Sequence, residues 1–182
     1  MSDYDFGLFS ALVVEDNSYL RTLLFQSLKA IGVGNVKTVE HGGLAIDTMR
    51  MIKENPTKAG MMHLDMVFSN WQMSPVDGMM LLRWVRRHKE SPDRFVPFVM
   101  VTGYADPVKV GEAREMGVTE MLAKPFSVNA MAEKLLQVVD KPRQFVHTGD
   151  FFGPDRRRTA GAAPDGKERR LITEAEIEIV YD

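Results

Sequence analysis

Polar side chains of complementary chemistry directly follow the predicted strands of this 182-residue chain. The carboxylates of Glu15 and Asp16 come after the first strand, and the hydroxyl of Thr102 comes after the fourth. The ammonium of Lys124 follows the fifth strand, and the carboxamide of Asn70 ends the third. Paired carboxylates suit a divalent cation that prefers oxygen ligands, whereas a hydroxyl and an ammonium suit phosphoryl oxygens. The set therefore predicts a site for a cation and a phosphoryl group.

A parallel sheet is the arrangement that would bring these side chains together. Short apolar runs alternate with amphipathic stretches, which is the βαβα pattern of a doubly wound α/β sheet with helices on both faces. The predicted strands are Ala11 to Val14, Val36 to Val39, Met66 to Ser69, Val96 to Val101 and Glu120 to Ala123. The first helix is expected to end at Gly32, a later one to run from Asp106 to Gly117, and the last to begin at Ser127. Ligands of such (βα)5 sheets bind at the carboxyl edge.

Composition narrows the class of protein. The chain is 45% hydrophobic and 26% charged with a net charge of -2, which is typical of a globular protein and predicts neither nucleic acid nor a membrane as a partner. It has no cysteine, so disulfides and thiolate metal sites are excluded. Asp3 and Asp5 stand where a signal peptide would carry basic residues, and we expect a cytoplasmic location.

The pattern changes after Asp140, and we predict a domain over residues 1–140 followed by a partly flexible tail over 141–182. The tail is rich in Gly and Pro and contains three consecutive arginines, Arg156 to Arg158. Acidic and apolar residues alternate near its end, which predicts a strand over residues 174–181. An exposed Phe151-Phe152 pair and an unpaired strand edge would both promote aggregation in water. We therefore expect the tail to dock on the domain or on a second copy.

Four short stretches carry a family resemblance. They are Val13 to Asn17, Asn70 to Gly78, Val101 to Gly103, and Ala123 to Phe126. Together they resemble the receiver domain of two-component response regulators, including chemotaxis proteins of the CheY type, over roughly residues 8 to 140. The resemblance implies a flavodoxin-like sheet of order 2-1-3-4-5 and phosphorylation by a sensor histidine kinase or a phosphotransfer protein.

The resemblance also assigns roles by position. Glu15 and Asp16 become the acids that bind Mg²⁺, with the backbone carbonyl of Gln72 as a further ligand. Thr102 becomes the switch hydroxyl and Lys124 the cation that binds phosphate. The peptide bond after Lys124 is expected to be cis, a geometry accessible before proline.

The sequence departs from the family at the position of the phosphoacceptor. Asn70 stands where the family has its phosphoacceptor aspartate, and a carboxamide cannot attack phosphorus to form an acyl phosphate. Ser69 is no substitute, because alternation along a strand points it to the opposite face. A carboxylate about 4 Å from the metal is worth up to about 4 kcal/mol, so its loss predicts weak or absent Mg²⁺ binding, with Lys124 paired to Asp16. Met121 also replaces the expected switch aromatic residue.

These features favour a binding module over an enzyme. The preferred hypothesis is a receiver-only signalling protein that docks on a histidine kinase, a phosphotransfer protein or a downstream regulator, or on a second copy as a homodimer. The alternative is an ordinary phosphorelay receiver silenced by an engineered Asp-to-Asn change at position 70. A phosphatase using Glu15 and Asp16 is disfavoured because the pocket has no nucleophile.

Basic side chains suggest where partners would bind. We predict a scattered basic surface over the last three helices of the domain, formed by Arg83, Arg86, Arg87, Lys109, Arg114 and Lys134. The charge is too dispersed for a nucleic-acid footprint. Protein partners are therefore expected near the fourth and fifth helices of the (βα)5 unit.

Overall fold

A five-stranded parallel sheet of order β2-β1-β3-β4-β5 forms the centre of the molecule. The computed structural model describes residues 5–103, 106–148, 151–155 and 178–180. The strands are β1 (Ser10–Val14), β2 (Asn35–Val39), β3 (Met66–Asn70), β4 (Phe98–Thr102) and β5 (Glu120–Ala123). The predicted strand order and the α/β class are confirmed.

Helices cover both faces of the sheet, and all except the short α3 begin near its carboxyl edge. They are α1 (Ser18–Ile31), α2 (Gly42–Glu54), the short α3 (Pro56–Ala59), α4 (Gly78–Arg87), α5 (Pro107–Glu115) and α6 (Val128–Asp140). A 3-10 turn over Phe6–Leu8 precedes β1. In the part of the chain that the structure describes, no helix is long and apolar enough to cross a membrane.

Side-chain alternation along the strands divides the core into two layers. Leu12 and Val67 pack with the buried residues of α2 and α4 on one face. Val13 and Phe68 pack with those of α1 and α6 on the other. Strands that are apolar on both sides are expected only where helices cover both faces, which explains the continuous apolar runs of β1, β3 and β4.

Helix ends follow their sequence signals. Gly32 ends α1 in the left-handed region at φ 106°, and Gly117, just after α5, has φ 92°. Side chains of Asp106 and Ser127 cap α5 and α6 by accepting hydrogen bonds from backbone N–H groups of the first turn. These helix boundaries are confirmed.

Strand β4 begins two residues later than predicted. The carbonyl of Val96 accepts a hydrogen bond from Arg86 Nη1 at 2.8 Å, and Pro97 has no N–H to donate. The ladder with β3 therefore starts where Phe98 pairs with Val67. An apolar run alone does not reveal that a carbonyl is already occupied by a side chain.

The prediction that Arg86 contributes to a basic surface is wrong, because this side chain is 0% exposed. Its guanidinium donates to the carbonyls of Gly117 (2.9 Å), Arg94 (2.8 Å) and Val96 (2.8 Å) and to the Thr119 hydroxyl (3.3 Å). Burial lowers its pKa to about 9, so the group remains charged at neutral pH. A buried cation of this kind is tolerated because its donors are satisfied.

The described part of the tail folds against the domain. Strands β6 (Phe145–Thr148), β7 (Phe151–Pro154) and β8 (Glu178–Val180) form an antiparallel sheet of order β7-β6-β8. The Phe152 ring packs edge-on against Phe95 of the domain at 5.4 Å, and the Arg94 guanidinium lies 3.3 Å from its centroid. Residues 174–177 and 181 of the predicted strand, and the three arginines, lie outside the described residues.

This docking predicts that the tail stabilises the domain. Phe152 is 4% exposed, so Phe152→Ala is expected to reduce the free energy of unfolding by about 3 kcal/mol through lost burial and an unfilled cavity. Urea denaturation followed by circular dichroism measures the effect. Leu8→Ala is the matched control, because Leu8 is 82% exposed. Equal stability of the two variants would mean that the aromatic contact contributes nothing.

Candidate functional site

The polar residues singled out from the sequence converge at the carboxyl edge of β1, β3 and β5. Asn70 is the last residue of β3, and Glu15 and Asp16 follow the adjacent β1. Lys124 follows β5, and its backbone N–H donates to the Thr102 carbonyl at 2.7 Å. The edge of the sheet therefore brings them together as expected for an open parallel fold.

Asn70 lies at the centre of this cluster and uses both ends of its carboxamide. Its Nδ2 donates to Glu15 Oε1 at 3.1 Å, to Asp16 Oδ1 at 3.2 Å and to the Gln72 carbonyl at 2.8 Å. Its Oδ1 accepts from Lys124 Nζ at 3.1 Å. The side chain is thus held by the same groups that the sequence suggested for a cation and a phosphoryl group.

Lys124 forms its ion pair with Glu15, so the predicted pairing with Asp16 is wrong. The distance from Nζ to Glu15 Oε2 is 2.8 Å, and the Glu15 side chain is 1% exposed, whereas Asp16 is exposed to solvent. Burial raises the pKa of Glu15, and the neighbouring ammonium opposes that rise. The pair forms here because a buried carboxylate without a charged partner would be costly.

Arg21 is a supporting residue that the sequence did not point to. Its Nη1 donates to the Glu15 carbonyl at 2.7 Å and to the Asp16 carbonyl at 3.3 Å, and its Nη2 pairs with Glu40 at 3.2 Å. The guanidinium thereby fixes the backbone that carries both acids. The only sequence signal is a cation in the first turns of the helix that follows an acidic pair.

The matched family accords with this geometry. Residues 11–136 match the response regulator receiver domain family, which is more than half of the chain. The chain belongs to that family. In this receiver the cluster around Asn70 lies at the carboxyl edge of the sheet.

Related proteins are similar over most of their length. The CheY homologue of Campylobacter jejuni, a chemotaxis protein, is 29% identical over 128 residues, which cover 70% of this chain and 90% of that protein. The structure of CheY4 from Vibrio cholerae has a TM-score of 0.59 at 25% identity, covering 71% of this chain and 98% of that one. The receiver domain of the Arabidopsis thaliana histidine kinase CKI1, solved with Mg²⁺ and BeF3-, has a TM-score of 0.63 at 24% identity, covering 75% and 95%.

Thr102 of this receiver pairs with Ala123 across β4 and β5, and Met121 lies two residues before Ala123 on β5. Thr102 is 3% exposed, and its carbonyl accepts a hydrogen bond from the Lys124 N–H. The Thr102 and Met121 side chains line a cavity of about 240 Å³ between α5 and α6, together with Val110. Met121 contributes a flexible thioether to the lining of this cavity.

The remaining predictions about the pocket concern the backbone and Ser69. The peptide bond between Lys124 and Pro125 is cis, as predicted, and so is the one between Ser74 and Pro75, which was not. Ser69 is fully buried, and its hydroxyl donates to the Asn70 carbonyl at 3.0 Å. It is therefore engaged by the backbone and lies away from the carboxamide.

Proposed function

We propose that this receiver acts in two-component signalling as a docking module that works without phosphorylation and without turning over a substrate. The observation that carries the proposal is the Asn70 carboxamide, which is hydrogen-bonded on both sides and which the resemblance assigns to the phosphoacceptor position. An amide nitrogen in this environment has no nucleophilic lone pair, because that pair is delocalised into the carbonyl. Phosphoryl transfer to residue 70 is therefore excluded on chemical grounds.

The proposed docking surface, called here the α5-α6 face, consists of α5, β5 and α6. The cavity between these helices is lined by basic side chains, Arg114, Lys134 and Arg143, around Val110 and Met121. Glu120 is buried there and accepts from Lys134 Nζ at 3.0 Å and from Arg143 Nη2 at 2.8 Å. A face with an apolar centre and a basic rim suits an acidic, amphipathic protein segment better than a nucleic acid.

The partner class follows from the family. A sensor histidine kinase, a phosphotransfer protein or a downstream regulator would present such a segment, and we propose one of these as the partner. The chemistry of Asn70 predicts that a phosphorylated partner transfers no phosphoryl group to residue 70 of this receiver. Affinity for the α5-α6 face should then not depend on phosphoryl donors.

Binding measurements test this proposal. Immobilised receiver is exposed to purified kinase and phosphotransfer domains from the same organism, with and without ATP, and dissociation constants are compared by surface plasmon resonance. We expect at least one domain to bind with a Kd that ATP does not alter. A complex that forms only after phosphorylation of the receiver would contradict the proposal.

A pair of surface variants locates the contact. Val108, in the first turn of α5, is 68% exposed, and Val108→Asp is expected to weaken binding about tenfold or more by placing a charge that must be desolvated against the partner. Leu8→Asp is the matched control, because Leu8 is exposed in the turn before β1. Equal losses in the two variants would mean that the partner does not use the α5-α6 face.

A second candidate function is that of a phosphorelay receiver in which only the identity of residue 70 prevents phosphorylation. Asparagine carries a nitrogen where aspartate carries an oxygen. This candidate is favoured by the completeness of the surroundings, since Glu15, Asp16, the Gln72 carbonyl and Lys124 all lie within hydrogen-bond distance of residue 70. The two candidates differ in what an aspartate at position 70 would do.

A further inference from the structure

The acceptors around Asn70 Nδ2 are the groups that the resemblance assigns to Mg²⁺. They are Glu15 Oε1, Asp16 Oδ1 and the Gln72 carbonyl, at 3.1, 3.2 and 2.8 Å. We propose that the carboxamide nitrogen of Asn70 takes the place of the metal ion in this receiver, so that the pocket is held together without Mg²⁺ and excludes it. The inference goes beyond the proposed function, which requires only that residue 70 lacks a nucleophile.

The orientation of the carboxamide is fixed by its neighbours. The Lys124 ammonium has only donors, so the group that faces it at 3.1 Å must be Oδ1. The opposite side then presents Nδ2 to two carboxylates and a carbonyl, which can only accept. A rotation that offered Oδ1 to a metal would set the amide N–H groups against the ammonium and would leave these hydrogen bonds broken.

Distances and charge also disfavour the ion. Mg²⁺ requires oxygen ligands at about 2.0–2.1 Å in octahedral geometry, whereas the three acceptors surround Nδ2 at 2.8–3.2 Å. The Lys124 ammonium already neutralises Glu15 at 2.8 Å, and none of the ion pairs among the described residues involves the Asp16 carboxylate. Among the described residues, no group of three or more acidic, histidine or cysteine side chains is arranged to hold a metal. The residues present therefore do not fit a Mg²⁺ ion in the place that Nδ2 holds.

The proposal makes an unusual prediction for Asn70→Ala. This substitution removes an oxygen that could ligate a metal, yet it also removes the nitrogen that occupies the acceptors. We expect the alanine variant to bind Mg²⁺ at least about tenfold more tightly than the unmodified chain. If Oδ1 were instead a metal ligand, the same substitution would weaken binding.

Titration with Mg²⁺ alone, followed by the fluorescence of the neighbouring Trp71 and by isothermal calorimetry, measures the affinities. Gln26→Ala removes an exposed carboxamide from α1 and should leave the affinity unchanged. Asp16→Asn added to Asn70→Ala should abolish the gained binding, which would place the ion in this pocket. Binding by the unmodified chain as tight as that of the alanine variant would overturn the proposal.

Nuclear magnetic resonance gives a readout that does not depend on the folding of a variant. The side-chain amide signal of Asn70 in the unmodified receiver is expected to stay unshifted when millimolar Mg²⁺ is added, because its hydrogen bonds persist. A saturable shift of this signal would overturn the proposal of an occupied site. It would leave the proposed docking function intact, since metal binding alone does not supply a nucleophile.

Discussion

Asn70→Asp is expected to convert the receiver from inert to phosphorylated in the presence of acetyl phosphate and Mg²⁺. A carboxylate oxygen at position 70 would attack phosphorus, form an O–P bond and release acetate, with Lys124 close enough to hold the phosphoryl oxygens. The substitution also replaces the Nδ2 donor by an acceptor, which adds a third carboxylate beside Glu15 and Asp16 and attracts the metal. Intact-mass spectrometry should record one added phosphoryl group, and Trp71 fluorescence should change in a Mg²⁺-dependent manner.

Asn55→Asp is the matched control for this gain. Asn55 caps α3 by accepting from the Lys58 N–H, a role that aspartate performs equally well, and it lies away from the carboxyl edge. The control should remain unphosphorylated. If Asn70→Asp folds and binds Mg²⁺ but stays unphosphorylated, residues other than residue 70 also prevent phosphorylation. The silenced-receiver alternative is then wrong. Complete phosphorylation of Asn70→Asp, accompanied by a conformational change on the α5-α6 face, would favour that alternative.

Arg86→Ala is expected to cause the largest loss of stability, about 3–5 kcal/mol. The guanidinium donates to the carbonyls of Gly117, Arg94 and Val96, which would all lose a charged partner at once. It also lies 5.1 Å from the ring of Phe145 in the tail. Chemical denaturation should therefore show a lower midpoint, and the amides of β6 and β7 should exchange faster.

Two further variants test what the Arg86 side chain contributes, one at a neighbouring exposed arginine and one that keeps the charge of Arg86. Arg83→Ala removes an exposed arginine from the same helix and should change stability by no more than about 0.5 kcal/mol. Arg86→Lys keeps a cation but loses the planar fork that reaches several carbonyls, so it should recover only part of the loss. A loss below about 1 kcal/mol in Arg86→Ala would show that these buried hydrogen bonds contribute little to the stability of the domain.

The sheet and the helix ends could be predicted because their signals are local. Apolar runs of strand length and caps such as Asp106 and Ser127 are decided by neighbours in sequence. The convergence of Asn70 and Lys124 followed from one topological fact, that parallel strands end at the same edge. The predictions of the sheet order and of the family rested on short motifs at those ends.

Other features could not be predicted, because they depend on partners distant in sequence. Arg86 lies four residues after the buried Leu82, a spacing typical of the core face, but the carbonyls that accept from it belong to residues 94–117. The choice of Glu15 rather than Asp16 by Lys124 depends on which adjacent carboxylate is buried. The role of Asn70 Nδ2 as a donor to three acceptors required their distances, which residue types alone do not give.

Residue 70 of the unmodified receiver is expected not to accept a phosphoryl group. Intact-mass spectrometry after incubation with acetyl phosphate and Mg²⁺, followed by fragmentation, tests it most directly. The predicted result is an unchanged mass for the unmodified chain under conditions in which Asn70→Asp is modified. A phosphoryl adduct on residue 70 that is still an asparagine would contradict it.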